Sequence, residues 1–162
     1  MSNMNTNNNL VKPHGGVLYD LYLTDTDKIL DYQSKVLSMQ SHTLTRHQLC
    51  DLELILNGAF SPLKGFICHS DYESVLRNMR LSNGALWPIP ITLDVTTSFA
   101  KKLGIGEEIV LCDQERVPLA ILKISDIWEA DKIFQALEVF GTIDETHSGV
   151  NYLLNHTNDI YI

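Results

Sequence analysis

The sequence predicts an α+β fold, in which several short helices pack on a small mixed β-sheet or barrel. Apolar residues follow helical spacing in the first half of the chain, whereas the second half alternates apolar and polar residues between turn signals. Helices that precede a run of strands, and do not alternate with them, are typical of this class. No internal repeat divides the chain, so we expect one domain over residues 10–162, preceded by a tail at residues 1–9.

The composition is that of an ordinary globular domain. The chain has 162 residues, of which 44% are hydrophobic and 20% are charged. It has no apolar stretch long enough to span a membrane, and its first residues lack the basic and apolar regions of a secretory signal. We therefore expect a cytoplasmic protein without membrane contact. The net charge of −8 opposes binding to a polyanion, so we expect no nucleic-acid partner.

The N-terminal quarter is predicted to contain a tail, an extended segment and one helix. Residues 1–9 include five Asn and few apolar side chains, which is typical of disorder. Pro13 and the Gly pair at 15–16 predict an extended segment that ends in a turn. Residues 24–39 predict a helix whose apolar side chains share one side: Ile29, Leu30, Val36 and Leu37.

The next predicted helix carries signals at both ends. Thr45 and Gln48 have the spacing of a capping box, in which the Thr hydroxyl accepts from the third amide and the Gln side chain reaches back to the cap. Asn57-Gly58 predicts the end of the helix, because both residues tolerate the left-handed conformation. Between these signals lies one apolar face, formed by Leu49, Leu52, Ile55 and Leu56.

A cluster of turn residues separates this helix from a third. Turn chemistry recurs at 57–58, 61–62 and 65, and we expect it to shape a corner of the fold. Ser70 and Glu73 repeat the capping-box spacing. They predict a short amphipathic helix with an apolar face formed by Tyr72, Val75, Leu76 and Met79.

The second half predicts strands joined by tight turns. Asn83-Gly84 is a strong hairpin signal. In "WPIPITLDV" every second residue from Ile89 to Val95 is apolar, which predicts a strand with one buried face, and the prolines place its start at a sheet edge. Two further strands, "EEIVLCD" and "PLAILKISDIW", flank a turn at 113–117. Residues 131–141 predict a short helix that ends at Gly141.

The residues themselves do not assemble a common catalytic or metal site. Three Cys residues lie far apart, and we expect reduced thiols, with Cys50 and Cys112 in the core. Zinc needs about four converging ligands, which this spacing of Cys and His does not provide. The "PHGG" segment resembles an oxyanion-hole segment of hydrolases, but no Gly-x-Ser-x-Gly elbow accompanies it. We interpret this segment as a backbone turn.

Taken together, several segments closely resemble the N-terminal domain of ATP sulfurylase (sulfate adenylyltransferase). They occur in that family's order and spacing: "LVKPHGG" (10–16), "NGAFSPL" (57–63), "LWPIPITLDV" (86–95), "VFGT" (139–142) and "HSGV" (147–150). The resemblance covers nearly all of residues 10–162. One departure is Ser148, where the family usually has Pro, and we expect it to cost less than about 1 kcal/mol through lost rigidity of a turn.

The resemblance implies a PUA-like fold. It also implies that the chain is part of a nucleotidyltransferase that joins sulfate to the α-phosphate of MgATP, giving adenylyl sulfate and pyrophosphate. Family members hold these substrates in a second domain, on a Gln-x-Arg-Asn-Pro loop with a His-x-x-His pair, and neither motif occurs here. We therefore expect no catalytic, cofactor-binding or metal-binding residue in this chain. MgATP would bind in the full-length enzyme, and the chain alone is expected to be inactive.

The implied role is a scaffold for the absent catalytic domain of an enzyme of sulfate assimilation. The implied partner is the chain's own C-terminal catalytic domain or an intact sulfurylase, and a homo-oligomer is also compatible with the resemblance. Candidate residues of the domain interface are His14, Asn57, Phe60, Ser61 and Trp87. The alternative is a free-standing PUA-like module that binds RNA or another protein, and the charge of −8 disfavours the RNA-binding form.

Overall fold

The computed structural model describes residues 11–162 and confirms the α+β class. The tail predicted at residues 1–9 lies outside the described residues. Within the described range, the helices are α1 (Thr26–Lys35), α2 (Arg46–Leu56), α3 (His69–Asn78), α4 (Thr97–Ala100), α5 (Lys132–Phe140) and α6 (Ser148–His156). The strands are β1 (Ser41–Thr43), β2 (Asp94–Val95), β3 (Glu108–Cys112), β4 (Pro118–Lys123), β5 (Trp128–Glu129) and β6 (Ile160–Tyr161). None of these helices has the length and apolar character that a membrane crossing requires.

The strands form two three-stranded sheets. In the first sheet, ordered β1-β3-β4, β1 runs parallel to β3 and β4 runs antiparallel to it. The second sheet, ordered β2-β6-β5, is antiparallel throughout. The first is the mixed sheet that the sequence predicts. The second escapes sequence analysis because each of its strands has only two residues, too few to show an alternating pattern.

The buried apolar residues form two large cores, and the second sheet contributes to both, with Val95 of β2 in the first core and Tyr161 of β6 in the second. Leu52 of α2 packs in the first core with fully buried residues that include Leu93 and Ile109. The second core joins α3 to β5 and β6 and contains Tyr72 and Tyr161, whose hydroxyls both donate to the side-chain oxygen of Gln135 at 3.0 Å. The two hydroxyls and the Gln135 oxygen can lie inside an apolar core because they are hydrogen-bonded to one another.

The predicted signals at the ends of two helices are confirmed. Thr45 and Gln48 form both bonds of the capping box at the start of α2. The chain leaves α2 through Gly58 at a φ of +80°, a conformation in which glycine carries no steric penalty. Helix α5 ends at Gly141, which adopts the left-handed conformation.

The capping box predicted at Ser70 and Glu73 is wrong. Helix α3 begins two residues earlier than a cap at Ser70 would place it, directly after Cys68, which makes no side-chain cap. Instead the carboxylate of Asp126, distant in sequence, accepts a hydrogen bond from the His69 amide at 3.2 Å. A cap supplied from elsewhere in the fold leaves no signal in the local sequence.

The strand predicted through residues 89–95 is confined to Asp94–Val95. Pro88 and Pro90 have no N–H to donate to a ladder, so the preceding segment stays outside both sheets. Ile89, predicted to be buried, is 54% exposed, whereas Asp94, predicted on the polar face, is buried at 7% exposure.

Three apolar positions predicted in helical faces are exposed. They are Leu30 and Leu37 near α1 and Met79 at the end of α3. No residue of α1 is buried, and none of its side chains belongs to either core. Met79 leaves its face because it adopts the left-handed conformation that ends α3.

The cysteine prediction is half right. Cys112 is buried in β3, but Cys50 is exposed. Cys50 lies two residues before the buried Leu52 of α2, which is about 200° around a helix with 3.6 residues per turn. It therefore points away from the core face.

Helix α6 is absent from the sequence prediction, and its first residue is Ser148. The position at which the resembled family has Pro is therefore the start of a helix and not a turn. Proline is favoured at the first helical position because its missing N–H would have no helical partner there.

Truncation of the first core gives a direct test of the assignment. Ile109 is fully buried in β3, and we expect Ile109→Ala to lower the free energy of unfolding by about 3 kcal/mol through lost burial and a new cavity. Ile105→Ala is the matched control, since that side chain is 70% exposed and should change stability by less than about 0.5 kcal/mol. Urea unfolding followed by circular dichroism measures both; equal effects would contradict this core.

Candidate functional site

Three of the five candidate residues lie together as an aromatic cluster. The Phe60 ring meets the Trp87 ring edge-on at a centroid distance of 5.7 Å, and the His14 ring lies 6.1 Å from Trp87. His14 Nε2 is 2.7 Å from the carbonyl oxygen of Leu86, which can only accept, so Nε2 donates. We name His14, Phe60, Leu86 and Trp87 the aromatic corner.

The other two candidates have hydrogen-bonding roles inside the turn. Ser61 is buried, and its hydroxyl donates to the Gly58 carbonyl at 2.6 Å while accepting from the Tyr19 amide at 2.9 Å. The exposed Asn57 side chain accepts from the Ala59 amide at 2.9 Å, which closes a local turn. Ser61 is therefore committed to holding the N-terminal segment against the turn.

Two glycines allow this segment to approach so closely. A side chain at Gly58 would place its Cβ 2.7 Å from the Tyr19 carbonyl oxygen. A side chain at Gly15 would place its Cβ 2.8 Å from the ring of Pro62. Both glycines also have positive φ values, so sterics and backbone conformation favour glycine at each position.

The aromatic corner has exposed apolar neighbours. Leu86 is 52% exposed, and Ile89, two residues after Trp87, is 54% exposed. Leu18, whose side chain lies beside Gly58, is 59% exposed. Exposed apolar side chains of this kind are a feature of protein–protein contacts.

Sequence reasoning missed a second polar cluster around the buried Asp94 carboxylate. Gln48 donates to Asp94 Oδ1 at 2.8 Å, and the backbone and side-chain N–H groups of Asn158 donate to Oδ2 at 2.7 and 2.8 Å. No Lys, Arg or His of residues 11–162 forms a salt bridge with this carboxylate. The charge is instead stabilised by amide donors, as buried anions require. Of Gln48, Asp94 and Asn158, only Gln48 is singled out by the sequence as a hydrogen-bonding group, and there it is predicted to cap α2 and not to contact Asp94.

A third cluster joins α2 to α6. The His47 ring lies 4.3 Å from the Tyr152 ring, and Asp51 is one helical turn after His47. Burial raises the pKa of Asp51 to about 6, against a smaller opposing effect of the His47 charge. Within the described part of the chain, no group of three or more His, Cys, Asp or Glu side chains could hold a metal ion.

Comparisons with known proteins agree with this architecture. The sequence profile of the PUA-like domain matches residues 11–162. The chain is 46% identical over 153 residues to the sulfate adenylyltransferase of Eremothecium gossypii, a match that covers 94% of this chain and 30% of that protein. With the sulfate adenylyltransferase of Saccharomyces cerevisiae, identity is 43% over 152 residues, covering 93% and 30% of the two chains. The chain thus spans about 30% of the length of these curated relatives.

A solved structure is similar as well. The hexameric APS kinase from Thiobacillus denitrificans superposes with a TM-score of 0.67 at 36% sequence identity. The match covers 75% of this chain and 24% of that chain.

Replacing the buried carboxylate should be costly. In Asp94→Asn, an NH₂ group takes the place of one carboxylate oxygen, so N–H donors that bond to that oxygen face another donor. We expect a loss of about 2–3 kcal/mol in the free energy of unfolding. Asp27→Asn is the control, because Asp27 is an exposed residue in the first turn of α1. Chemical denaturation at neutral pH measures both variants, and near-equal stabilities would show that the Asp94 cluster contributes little.

Asp51 should make stability depend on pH. Its pKa is about 6 in the folded protein and 3.8 in the reference state, so the folded state holds this proton more tightly. The contribution of Asp51 to stability is therefore greatest below about pH 4, falls as pH rises to about 6, and is level above that.

Removing this carboxylate tests the effect. We expect Asp51→Asn to raise stability at pH 7 by about 1 kcal/mol, a value discounted for partial solvent exposure, and to flatten the pH dependence between 4 and 6. Glu53→Gln, on an exposed position of the same helix, should keep that dependence. Thermal unfolding across this pH range makes the comparison, and an unchanged slope in Asp51→Asn would refute the assignment.

Proposed function

Because the chain belongs to the PUA-like domain family and matches about 30% of the length of sulfate adenylyltransferases, we propose that it is the N-terminal, non-catalytic domain of such an enzyme. Its function is to hold and orient the catalytic domain. The observation that carries this proposal is the coverage, which is almost complete for this chain and partial for its relatives.

The roles of the candidate residues support a scaffold. Ser61 is buried and saturated with hydrogen bonds, and His14 donates to a backbone carbonyl. A catalytic group must instead contact substrate. The exposed apolar surface of the aromatic corner favours contact with another protein surface, and we propose the catalytic domain as the partner there.

In this proposal the chemistry belongs to the full-length enzyme. Sulfate attacks the α-phosphate of MgATP and pyrophosphate leaves, so the reaction needs cationic and amide groups around the phosphates. MgATP would bind in the catalytic domain, and this chain would supply no cofactor ligand. A cytoplasmic location, a role in sulfate assimilation and assembly into a homo-oligomer belong to the same proposal. The charge of −8 disfavours the alternative RNA-binding module.

The first experiment measures pyrophosphate release with MgATP and sulfate. We expect no sulfate-dependent release from the chain alone. A chimera, in which this chain replaces the matching region of the E. gossypii sulfate adenylyltransferase, should be active, because the chain would restore the scaffold. Release by the chain alone would contradict its non-catalytic assignment, and an inactive but folded chimera would contradict scaffolding.

The same chimera tests the aromatic corner. Leu86→Asp would bury a carboxylate in the proposed contact, and we expect it to lower the activity by about tenfold or more. Leu137→Asp is the matched control, since Leu137 is 47% exposed on α5, close to the 52% of Leu86, but lies outside the aromatic corner. Circular dichroism establishes that both variants are folded. Equal activity of the two variants would show that the partner does not dock at the aromatic corner.

A further inference from the structure

Strand β4 is an edge strand with a free side. It is the outer strand of the β1-β3-β4 sheet and pairs only with β3 among the described residues. None of its six residues is buried, and Leu119, Ala120, Ile121 and Leu122 are apolar. A free apolar edge is a template on which another extended chain can pair.

The hydrogen bonds of β3 identify which groups of β4 face outward. Val110 donates its N–H to Gln40, on the β1 side, so its backbone groups point away from β4. In an antiparallel ladder the residue opposite such a position also points away from the shared ladder. Ile121 lies opposite Val110, and Lys123 lies opposite Glu108, two residues further along β3. The N–H and C=O groups of Ile121 and Lys123 therefore face the free side, and neither has a hydrogen-bond partner within residues 11–162.

A groove runs along this free side. One cavity of about 440 Å³ is lined by five consecutive residues of β4, from Pro118 to Leu122. Because side chains alternate between the two faces of a strand, a cavity that contacts five in a row reaches the strand edge. Leu111 of β3 and Leu52 of α2 also line it, so the cavity extends from that edge under α2. A second cavity of about 600 Å³ continues from Ile121 to Ser125. Residues 64–66 line both cavities, so they form a common opposite wall.

The residues that line the groove indicate the chemistry of the chain that would bind there. Residues 21–23 and α1 line the first cavity together with β4, so a chain added to this edge would lie in a groove and would contact these residues as well. Lys64 and Lys123 stand at the rim, and neither forms a salt bridge within the described residues. Lys64 Nζ lies 4.4 Å from the centroid of the Tyr19 ring, and Asp71 in the lining of the second cavity accepts from the Ser82 amide. The two lysines, which have no carboxylate partner among the described residues, complement a segment that alternates apolar residues and carries acidic ones.

We propose that this groove binds an extended acidic–apolar peptide segment of a partner protein, which adds as a strand to the free edge of β4. The backbone groups of Ile121 and Lys123 supply the pairing. The apolar lining receives every second side chain, and Lys64 and Lys123 attract the acidic residues. This is the recognition mode in which main-chain hydrogen bonds give affinity and side-chain pockets give specificity. The site is separate from the aromatic corner and does not depend on the scaffolding role.

The experiment uses the complete 162-residue chain and a fluorescein-labelled heptapeptide, EVTVTVD, read out by fluorescence anisotropy. Two analogues of the peptide are N-methylated on alternating sets of residues. Only one set of peptide N–H groups can face β4, so we expect one analogue to lose binding and the other to retain it. On binding, the amides of Ile121 and Lys123 should gain protection from hydrogen exchange. Equal binding of both analogues, or no binding up to about 1 mM peptide, would overturn the proposal.

Protein variants test the same contact from the other side. Ile121→Pro removes an outward N–H without removing a bond to β3, and we expect about tenfold weaker binding, with Ile121→Val as the matched control. Lys64→Glu should weaken binding of the acidic peptide by about threefold or more, whereas Lys101→Glu, at an exposed lysine outside the groove, should not. Unchanged binding by folded Ile121→Pro and Lys64→Glu would contradict strand addition. A concentration-dependent dimer that blocks the peptide, seen by ultracentrifugation, would assign the edge to a second copy and overturn the proposal.

Discussion

The hydrogen-bonded carboxylate of Asp94 is the constraint on which the arrangement of the two sheets depends. Asp94 belongs to β2 in the second sheet, and its partner Gln48 lies in the first turn of α2, the helix that follows β1 of the first sheet. Asn158 binds the other oxygen just before β6. A buried anion without donors would cost several kcal/mol, so this geometry is stable only while all three parts of the chain meet.

Gln48 links local and tertiary structure through its two side-chain atoms. Its oxygen accepts from the Thr45 amide at 2.9 Å, which completes the capping box. Its nitrogen donates to both the carbonyl and the carboxylate of Asp94. Gln48 therefore completes the cap of α2 and also holds the first turn of that helix against β2. Because an amide side chain has both a donor and an acceptor, Glu could not make both contacts at neutral pH.

The two proposed binding surfaces arise where regular structure ends. At the aromatic corner, the turn after α2 is held by the hydrogen bond from Ser61 to Gly58. Phe60 and Trp87 are half-buried against the second core, with Leu86 exposed beside them. Along β4, the outermost strand of the sheet has backbone groups without a hydrogen-bond partner among residues 11–162. The first surface offers side chains to a folded partner, and the second offers main-chain hydrogen bonds to an extended one. The difference follows from which groups each boundary leaves exposed.

The sequence by itself determined the α+β class, the capped start of α2, the glycine-ended helices and the β3–β4 hairpin, because each depends on residues close together in the chain. It also grouped His14, Phe60 and Trp87 through a family resemblance, without showing their contact. Only the tertiary structure decided that Asp94 is buried, that Asp126 caps α3 and that the second sheet exists. These features depend on partners tens of residues away, and neither a helical period nor a two-residue strand carries that information.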